Sequence, residues 1–387
     1  MKTFLSISLI FLMSVYLSAQ ELPRRIPFLD GEKYGYADAN AELVIPAVYD
    51  EVSTFVDGAA KVKKNGFYGL IDEDGRIMVP ITLESMGEWR EGMIRYSNAG
   101  KDGFYNSRGI RVISAQYSLS SDFYEGMAYV KQSRLFGYID KAGRMVVPYK
   151  FVETNVFSNG MAKVGQKGRY GFVNREGEVI VRPIYEYAGS FHEGYAFVKV
   201  REKFGFINKD GKLVIPTEYD NALMFANGIA GVQLGELWGY INAENEMVIP
   251  VEYESISASL HEMFPVKKDG LWGYIDPYGY EMTRFEYESA NHFHEGLARV
   301  MMNGKYGFID DRGKLMIPCT FEYVSNFHEG RALYKENGLS GYIDPSGNIV
   351  IPAKYEKAGH IFEGGIVQVE VNGQAFWIDL NGFEYRR

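Results

Sequence analysis

Apolar residues in this chain never run in a helical period. They come in pieces of four to six, cut by Gly, Pro, Asn and Asp, as in Tyr306-Gly-Phe-Ile-Asp310, then Lys314-Leu-Met-Ile-Pro318, then Ala298-Arg-Val300. Such pieces leave no room for a helix of ten or more residues and predict short strands joined by tight turns. The alternating pieces, among them Ala60-Lys-Val62, Ala128-Tyr-Val130 and Ala162-Lys-Val164, predict one buried and one wet face. The pieces beginning with an aromatic are apolar on both faces, which a lone hairpin cannot cover.

The pattern repeats. A glycine following an aromatic stands at Gly35, Gly69, Gly103, Gly137, Gly171, Gly205, Gly239, Gly273, Gly307 and Gly341, each step being 34 residues. The aromatic is lost at Asp102 and Ser340, and a worn eleventh copy follows at Ala375-Phe-Trp-Ile-Asp379. Each unit carries four segments: the aromatic-Gly piece, a D/N-x-x-G hairpin turn into a second piece ending in Pro, a less regular third piece ending in an aromatic, and the alternating fourth. Units of this kind cover one another's exposed faces by stacking, so repetition builds the core. The glycine beside the aromatic is expected where a ring or backbone of the next unit packs closely. The unit around Gly103, lacking both the aromatic and the usual proline (Ser114), is expected to be the weakest joint.

The expected fold is therefore all-β: a tandem array of about ten 34-residue units plus the worn copy. An open or superhelical stack of antiparallel hairpins is preferred, because the unit count exceeds the four to eight blades, roughly, of common closed rings. A β-propeller is the alternative.

The first residues, MKTFLSISLIFLMSVYLSAQ, carry one cation, an apolar stretch and small residues before Gln20. They predict a signal peptide over 1–19, with the array over 20–387 and the mature product exported to the periplasm or beyond. No later apolar run is long enough to span a bilayer. A single cysteine, Cys319, excludes an intrachain disulfide, and a net charge of −9 disfavours nucleic acid.

Aromatic-Gly-aromatic-Ile-Asp, then x-x-Gly-x-hydrophobic-Val-Ile-Pro, then Tyr-Asp/Glu, then Phe-x-Glu-Gly-hydrophobic-Ala-x-Val resembles the WG-repeat family of bacterial proteins. The Trp-Gly itself stands at Trp238-Gly239 and Trp272-Gly273. The resemblance implies an all-β repeat protein without a shared catalytic residue set.

Candidate chemistry is sparse. His292, His294, His328 and His360 fall in successive units and are weighed as a metal site against solvated turn residues, no cofactor being expected. The D-x-x-G turns lack the terminal bidentate glutamate of a calcium loop and are expected to be hairpin turns. The recurring acids recur as structure does, and no nucleophile motif is present, so an enzyme is not expected. Positions that differ while their neighbours stay fixed (Lys61, Tyr129, Lys163, Phe197, Gly231, Arg299, Leu333) suggest a partner-facing surface, with Tyr129, Tyr195 and Phe197 as an aromatic binding strip unless a neighbouring unit covers them. The function expected is a non-enzymatic binding or scaffold role toward a protein. A lectin-like module for surface glycans is the alternative, and a metal-dependent envelope enzyme a remote third.

Overall fold

The structure is a computed structural model describing residues 22–258 and 261–387. The segment expected as a signal peptide lies outside them. The described residues fold into eleven separate antiparallel sheets, nine of four strands and two of three.

The sixth sheet serves as the example. A short strand, Tyr187–Ala188, pairs with an alternating strand, Tyr195–Val200; this pairs with the glycine strand, Lys203–Asn208, and this with a bent strand, Leu213–Tyr219. The turns follow from the residues. Asn208 begins the D/N-x-x-G turn, its Oδ1 accepting from the N–H groups of Asp210 and Lys212 at 3.1 and 3.0 Å. Asp72 does the same in the second sheet at 3.0 and 2.8 Å, which makes these acids turn caps.

Sheet and sequence unit are out of phase. The aromatic-Gly and Pro-ending pieces close one sheet, and the remaining two pieces of the same unit open the next. A single residue, such as Asp220 between Tyr219 and Asn221, joins them. That residue is usually an acid, and its carboxylate accepts from the hairpin backbone of its own new sheet: Asp220 from Gly235 N–H at 2.9 Å, Glu254 from Gly270 N–H at 3.0 Å.

The aromatic-Gly glycine has a cause within its own sheet. Between the pairs Phe204↔Tyr219 and Phe206↔Ile215 the bent strand holds two extra residues and arches over Gly205. A Cβ there would stand 2.4 Å from the Ile215 carbonyl oxygen and 2.6 Å from the Pro216 carbonyl carbon. The expected neighbour from the next unit is thus replaced by the unit's own Ile-Pro step. The glycine that does meet another sheet is the turn glycine: Gly211, at φ +76°, lies against Val181 and Ile180 of the preceding sheet, where a Cβ would approach Val181 to 2.7 Å.

Packing between sheets repeats as well. The residue after the glycine is fully buried against the aromatic that ends the third piece of the same unit, in the next sheet, as in Phe206 with Phe225 (ring centroids 5.0 Å apart), Phe172 with Phe191 (4.9 Å) and Tyr138 with Phe157 (5.0 Å). Where that residue is Tyr, its hydroxyl also donates across the seam, Tyr240 to Ser257 O at 2.8 Å and Tyr274 to Asn291 O at 2.7 Å.

Among the described residues eleven buried clusters, each built chiefly from two neighbouring sheets, hold the molecule together. An open row of eleven sheets has ten seams, and the eleventh joins the ends: Ile26 and Phe28 pack with Ile366, Trp377 and Tyr385. The first sheet lacks its short strand, and the C-terminal residues take the edge. Arg387 N–H donates to Leu29 O at 3.0 Å, Gly31 N–H to Arg387 O at 3.3 Å, and the Arg387 guanidinium pairs with Asp30 at 2.7 Å. The chain is an eleven-bladed propeller. Closure rather than an open stack is favoured because it leaves no bare terminal face and pairs a free edge.

Candidate functional site

The middle residue of each alternating strand points into the groove toward the next blade, and this is where the variable positions lie. They bridge blades. Lys61 Nζ donates to Gly87 O at 3.2 Å and pairs with Glu88 at 2.7 Å. Arg95 meets Asp122 at 3.4 Å and Asp102 at 3.7 Å. Lys163 Nζ donates to Ala188 O at 2.9 Å between the rings of Tyr170 and Tyr187, at 5.2 and 5.3 Å, and burial holds its ammonium below the usual lysine range, Glu153 opposing. Gly231 leaves room for Ile256, whose Cδ1 would lie 2.4 Å from an added Cβ, and Leu333 is buried. Variation here matches volume and charge across a seam.

The three aromatic candidates are likewise half-buried and covered. Tyr129 packs edge-on against Phe136 at 5.7 Å, Tyr195 against Phe225 at 4.6 Å, and Phe197 lies between Tyr187 and Phe204 at 6.1 and 6.0 Å. They form no exposed strip. The most exposed aromatics stand elsewhere, in the eighth blade, whose fourth strand is undone and which carries Tyr278 and Tyr280, 80% and 71% exposed, on either side of the turn glycine Gly279. Loss of the Ile-Pro step after Gly279 is the sequence signal that marks this departure.

Asp102 in the degenerate third blade is buried but answered. It accepts from Ser97 Oγ at 2.6 Å and from Ser120 N–H at 2.8 Å. In both blades that lose the aromatic, Tyr replaces Val opposite the glycine, and its hydroxyl accepts a bulge N–H: Tyr96 from Ala115 and Tyr334 from Ala353, each at 3.0 Å. The joint expected to be weak is therefore rebuilt.

The Glu of each Phe-x-Glu-Gly turn is also structural. Glu193 adopts a left-handed φ of +47°, and its two oxygens accept from Asn227 and Gly228 N–H in the next blade at 2.8 and 2.9 Å. Glu295 grips Glu329 and Gly330 in the same way at 2.6 and 2.9 Å.

Histidines line up in pairs, His261 with His292 at 6.1 Å and His294 with His328 at 5.8 Å, while His360 faces Tyr323 at 6.2 Å. Among the described residues no three His, Cys, Asp or Glu side chains converge as metal ligands. Burial, then the neighbouring His261 and His294, hold the His292 imidazole below its ordinary value; for His294 the causes are burial, then His328 and His261. Open cavities sit in the grooves between blades, one of about 460 Å³ where the first, second and last blades meet and one of about 220 Å³ beside Arg299, His328 and His360.

A closed ring of meander blades with its polar side chains spent on turns and seams defines a β-propeller repeat protein. The sequence pattern described as the WG containing repeat matches nine stretches, at residues 34–66, 68–101, 136–170, 170–204, 204–238, 238–272, 272–306, 306–339 and 341–374. The chain belongs to this family. The stretch left unmatched between 101 and 136 includes the degenerate third blade's glycine and bent strands. The comparison with curated proteins returns no match. Solved structures similar to the chain include a eukaryotic initiation factor (9% identity, 92% of this chain and 98% of that one, TM-score 0.43). Another is BamB from Moraxella catarrhalis (11% identity, 65% and 90%, TM-score 0.34). Among the described residues no helix is long and apolar enough to cross a membrane.

Proposed function

We propose that this chain is an exported, non-enzymatic binding or scaffold protein of a bacterial envelope, working through a repeated surface. One observation carries the reading. The bent strand is the free edge of its sheet, and at one repeat position it leaves apolar residues exposed: Ile77 (62%), Met145, Leu213, Met247, Leu315 and Ile349 (53%). A belt of apolar side chains on strand edges suits a protein partner that lays its own apolar surface or strand along it. The acids and amides in the turns and seams are engaged in hydrogen bonds, which leaves recognition rather than catalysis as the work of the surface.

The test is capture from envelope extract by the intact protein and by a variant carrying Ile77→Lys, Leu213→Lys and Ile349→Lys. A partner held by the first and lost by the second is the expected outcome; the same partners on both would refute the belt. Export is tested by N-terminal sequencing of protein from its host, expected to begin near Gln20, whereas an intact Met1 in the membrane fraction would contradict it. A glycan-binding reading is supported by Tyr278 and Tyr280, whose exposed rings offer stacking faces for sugars. Glycan-array binding abolished by Tyr278→Ala with Tyr280→Ala would favour it over the protein partner.

A further inference from the structure

Among the described residues nine blades end in a bent strand of seven residues at the free edge of the sheet, and eight of these strands hold a proline. The third, Arg111-Val-Ile-Ser-Ala-Gln-Tyr117, holds none. A proline on an outer edge withholds the N–H that a foreign strand would pair with, which is one way an edge is kept from recruiting another chain. In the third blade Ser114 stands where Pro80, Pro148 and Pro216 stand in sister blades. Its amide faces out. On one side the Ile113 carbonyl turns inward over Gly103, where a Cβ would stand 2.6 Å from it, and on the other the Ala115 N–H is taken by the Tyr96 hydroxyl at 3.0 Å. Alternation along the strand therefore turns the amides of Val112, Ser114 and Gln116 away from the sheet.

Losing the aromatic does not compel losing the proline. The tenth blade also lacks its aromatic and rebuilds the bulge with Tyr334 on the Ala353 N–H, yet it keeps Pro352. The third edge differs in charge as well. Every other hairpin turn of this series holds an acid within its four residues, whereas Asn106-Ser-Arg-Gly109 holds none and leads through Ile110 into Arg111. Arg108 and Arg111 are exposed and make no ion pair among the described residues, in a chain whose net charge is −9. Ile110 and Val112, also exposed, flank Arg111.

We propose that the edge of the third blade docks an extended acidic segment of another protein, which adds a strand beside Val112, Ser114 and Gln116. The segment's backbone pairs with the outward amides, its acids meet Arg108 and Arg111, and its apolar residues lie on Ile110 and Val112. A second copy fits worse, because the same edge would set arginines against arginines. The inference rests on the binding role proposed above but on a separate site, since Arg111 stands where the apolar belt has Ile77 and Met145.

The experiment is an anisotropy titration of the intact protein against a short fluorescein-labelled peptide alternating Glu with Val, with a Lys-Val peptide as control, and hydrogen exchange followed over 110–117. Saturable binding with a dissociation constant on the order of 100 μM is expected, weakened by salt and slowing exchange across that segment. Ser114→Pro restores the sister edge, so it should hold the melting temperature while weakening the peptide at least about tenfold. Arg108→Gln with Arg111→Gln should weaken it likewise and flatten the salt dependence; if Ser114→Pro does not fold, this variant decides. The belt variant with Ile77→Lys, Leu213→Lys and Ile349→Lys should bind the peptide at least as well as the unsubstituted protein, so the two readings fail separately. No saturation with the acidic peptide, equal binding of the lysine peptide, or unchanged binding in a folded Ser114→Pro variant overturns the proposal. Self-association in light scattering that Ser114→Pro abolishes would make a second copy the occupant and overturn it too.

Discussion

Gly205→Ala tests why the repeat keeps a glycine after its aromatic. The added methyl would sit 2.4 Å from Ile215 O and 2.6 Å from Pro216 C, both backbone atoms, so the bent strand must retreat by at least about 0.6 Å to reach the 3.0 Å that real Cβ contacts respect. Retreat of that kind costs about 1–3 kcal/mol as overpacking. Loosening the ladder bonds beside Phe204↔Tyr219 and Phe206↔Ile215 adds about 1 kcal/mol. The total expected is about 3 kcal/mol. Gly273 is the control. In the eighth blade the bent strand is undone, and the nearest atoms a Cβ there would meet belong to the Phe285 ring, at 2.9 Å, a half-buried side chain stacked on Tyr253 rather than backbone. Gly273→Ala is therefore expected to cost less than about 1 kcal/mol. Gly228→Ala, with open space but φ +77°, supplies the cost of the left-handed backbone alone, about 1–2 kcal/mol. Urea unfolding followed by tryptophan fluorescence and by far-UV dichroism gives the comparison, with coincidence of the two probes required before free energies are compared. If Gly273→Ala proves as damaging as Gly205→Ala, the arching strand is not the reason for the glycine.

Three further outcomes are expected. Deleting 171–204 and joining Tyr170 to Gly205 removes one of eleven blades, so each remaining angle must widen from about 33° to 36° (360/11 to 360/10) or the ring must stay open; loss of stability or solubility is expected, and a stable deletant merely shorter by X-ray scattering would speak for an open stack. Glu193→Ala strips the Asn227 and Gly228 N–H groups of their acceptor and should cost about 1 kcal/mol; hydrogen exchange at those two amides should quicken while Gly126, held by Glu91, does not change. Because His292 and His294 are held below the ordinary histidine value, the unfolded chain binds more protons than the folded one in that window. Stability present above about pH 6.5 is lost as pH falls toward the folded values, and His292→Gln should flatten the fall in melting temperature, an unchanged slope counting against it.

Much of this molecule is written in short range. The period, the D/N-x-x-G turns and the alternating strands need only neighbouring residues, and the sequence shows all of them. What it does not show is geometry that accumulates or crosses. Closure at eleven is the sum of eleven small blade angles, and no residue states the sum; Arg387 reaching Asp30 across the whole chain follows only once the ring is known. The phase between unit and blade is hidden because each segment reads as a strand whichever sheet it joins. The same limit misleads at the grooves. A position that changes from Lys61 to Gly231 to Leu333 while its neighbours stay fixed has the look of a partner-facing surface, yet Gly231 is small because Ile256 fills its place, and Lys61 is charged because Glu88 stands opposite. Free variation and compensated variation look alike until both sides of the seam are seen. Where the acid is missing, at Ser190 and Asn326, the compensation takes another form that only both sides of the seam disclose: Lys163 and Arg299 rest on the Ala188 and Val324 carbonyls beside paired tyrosine rings.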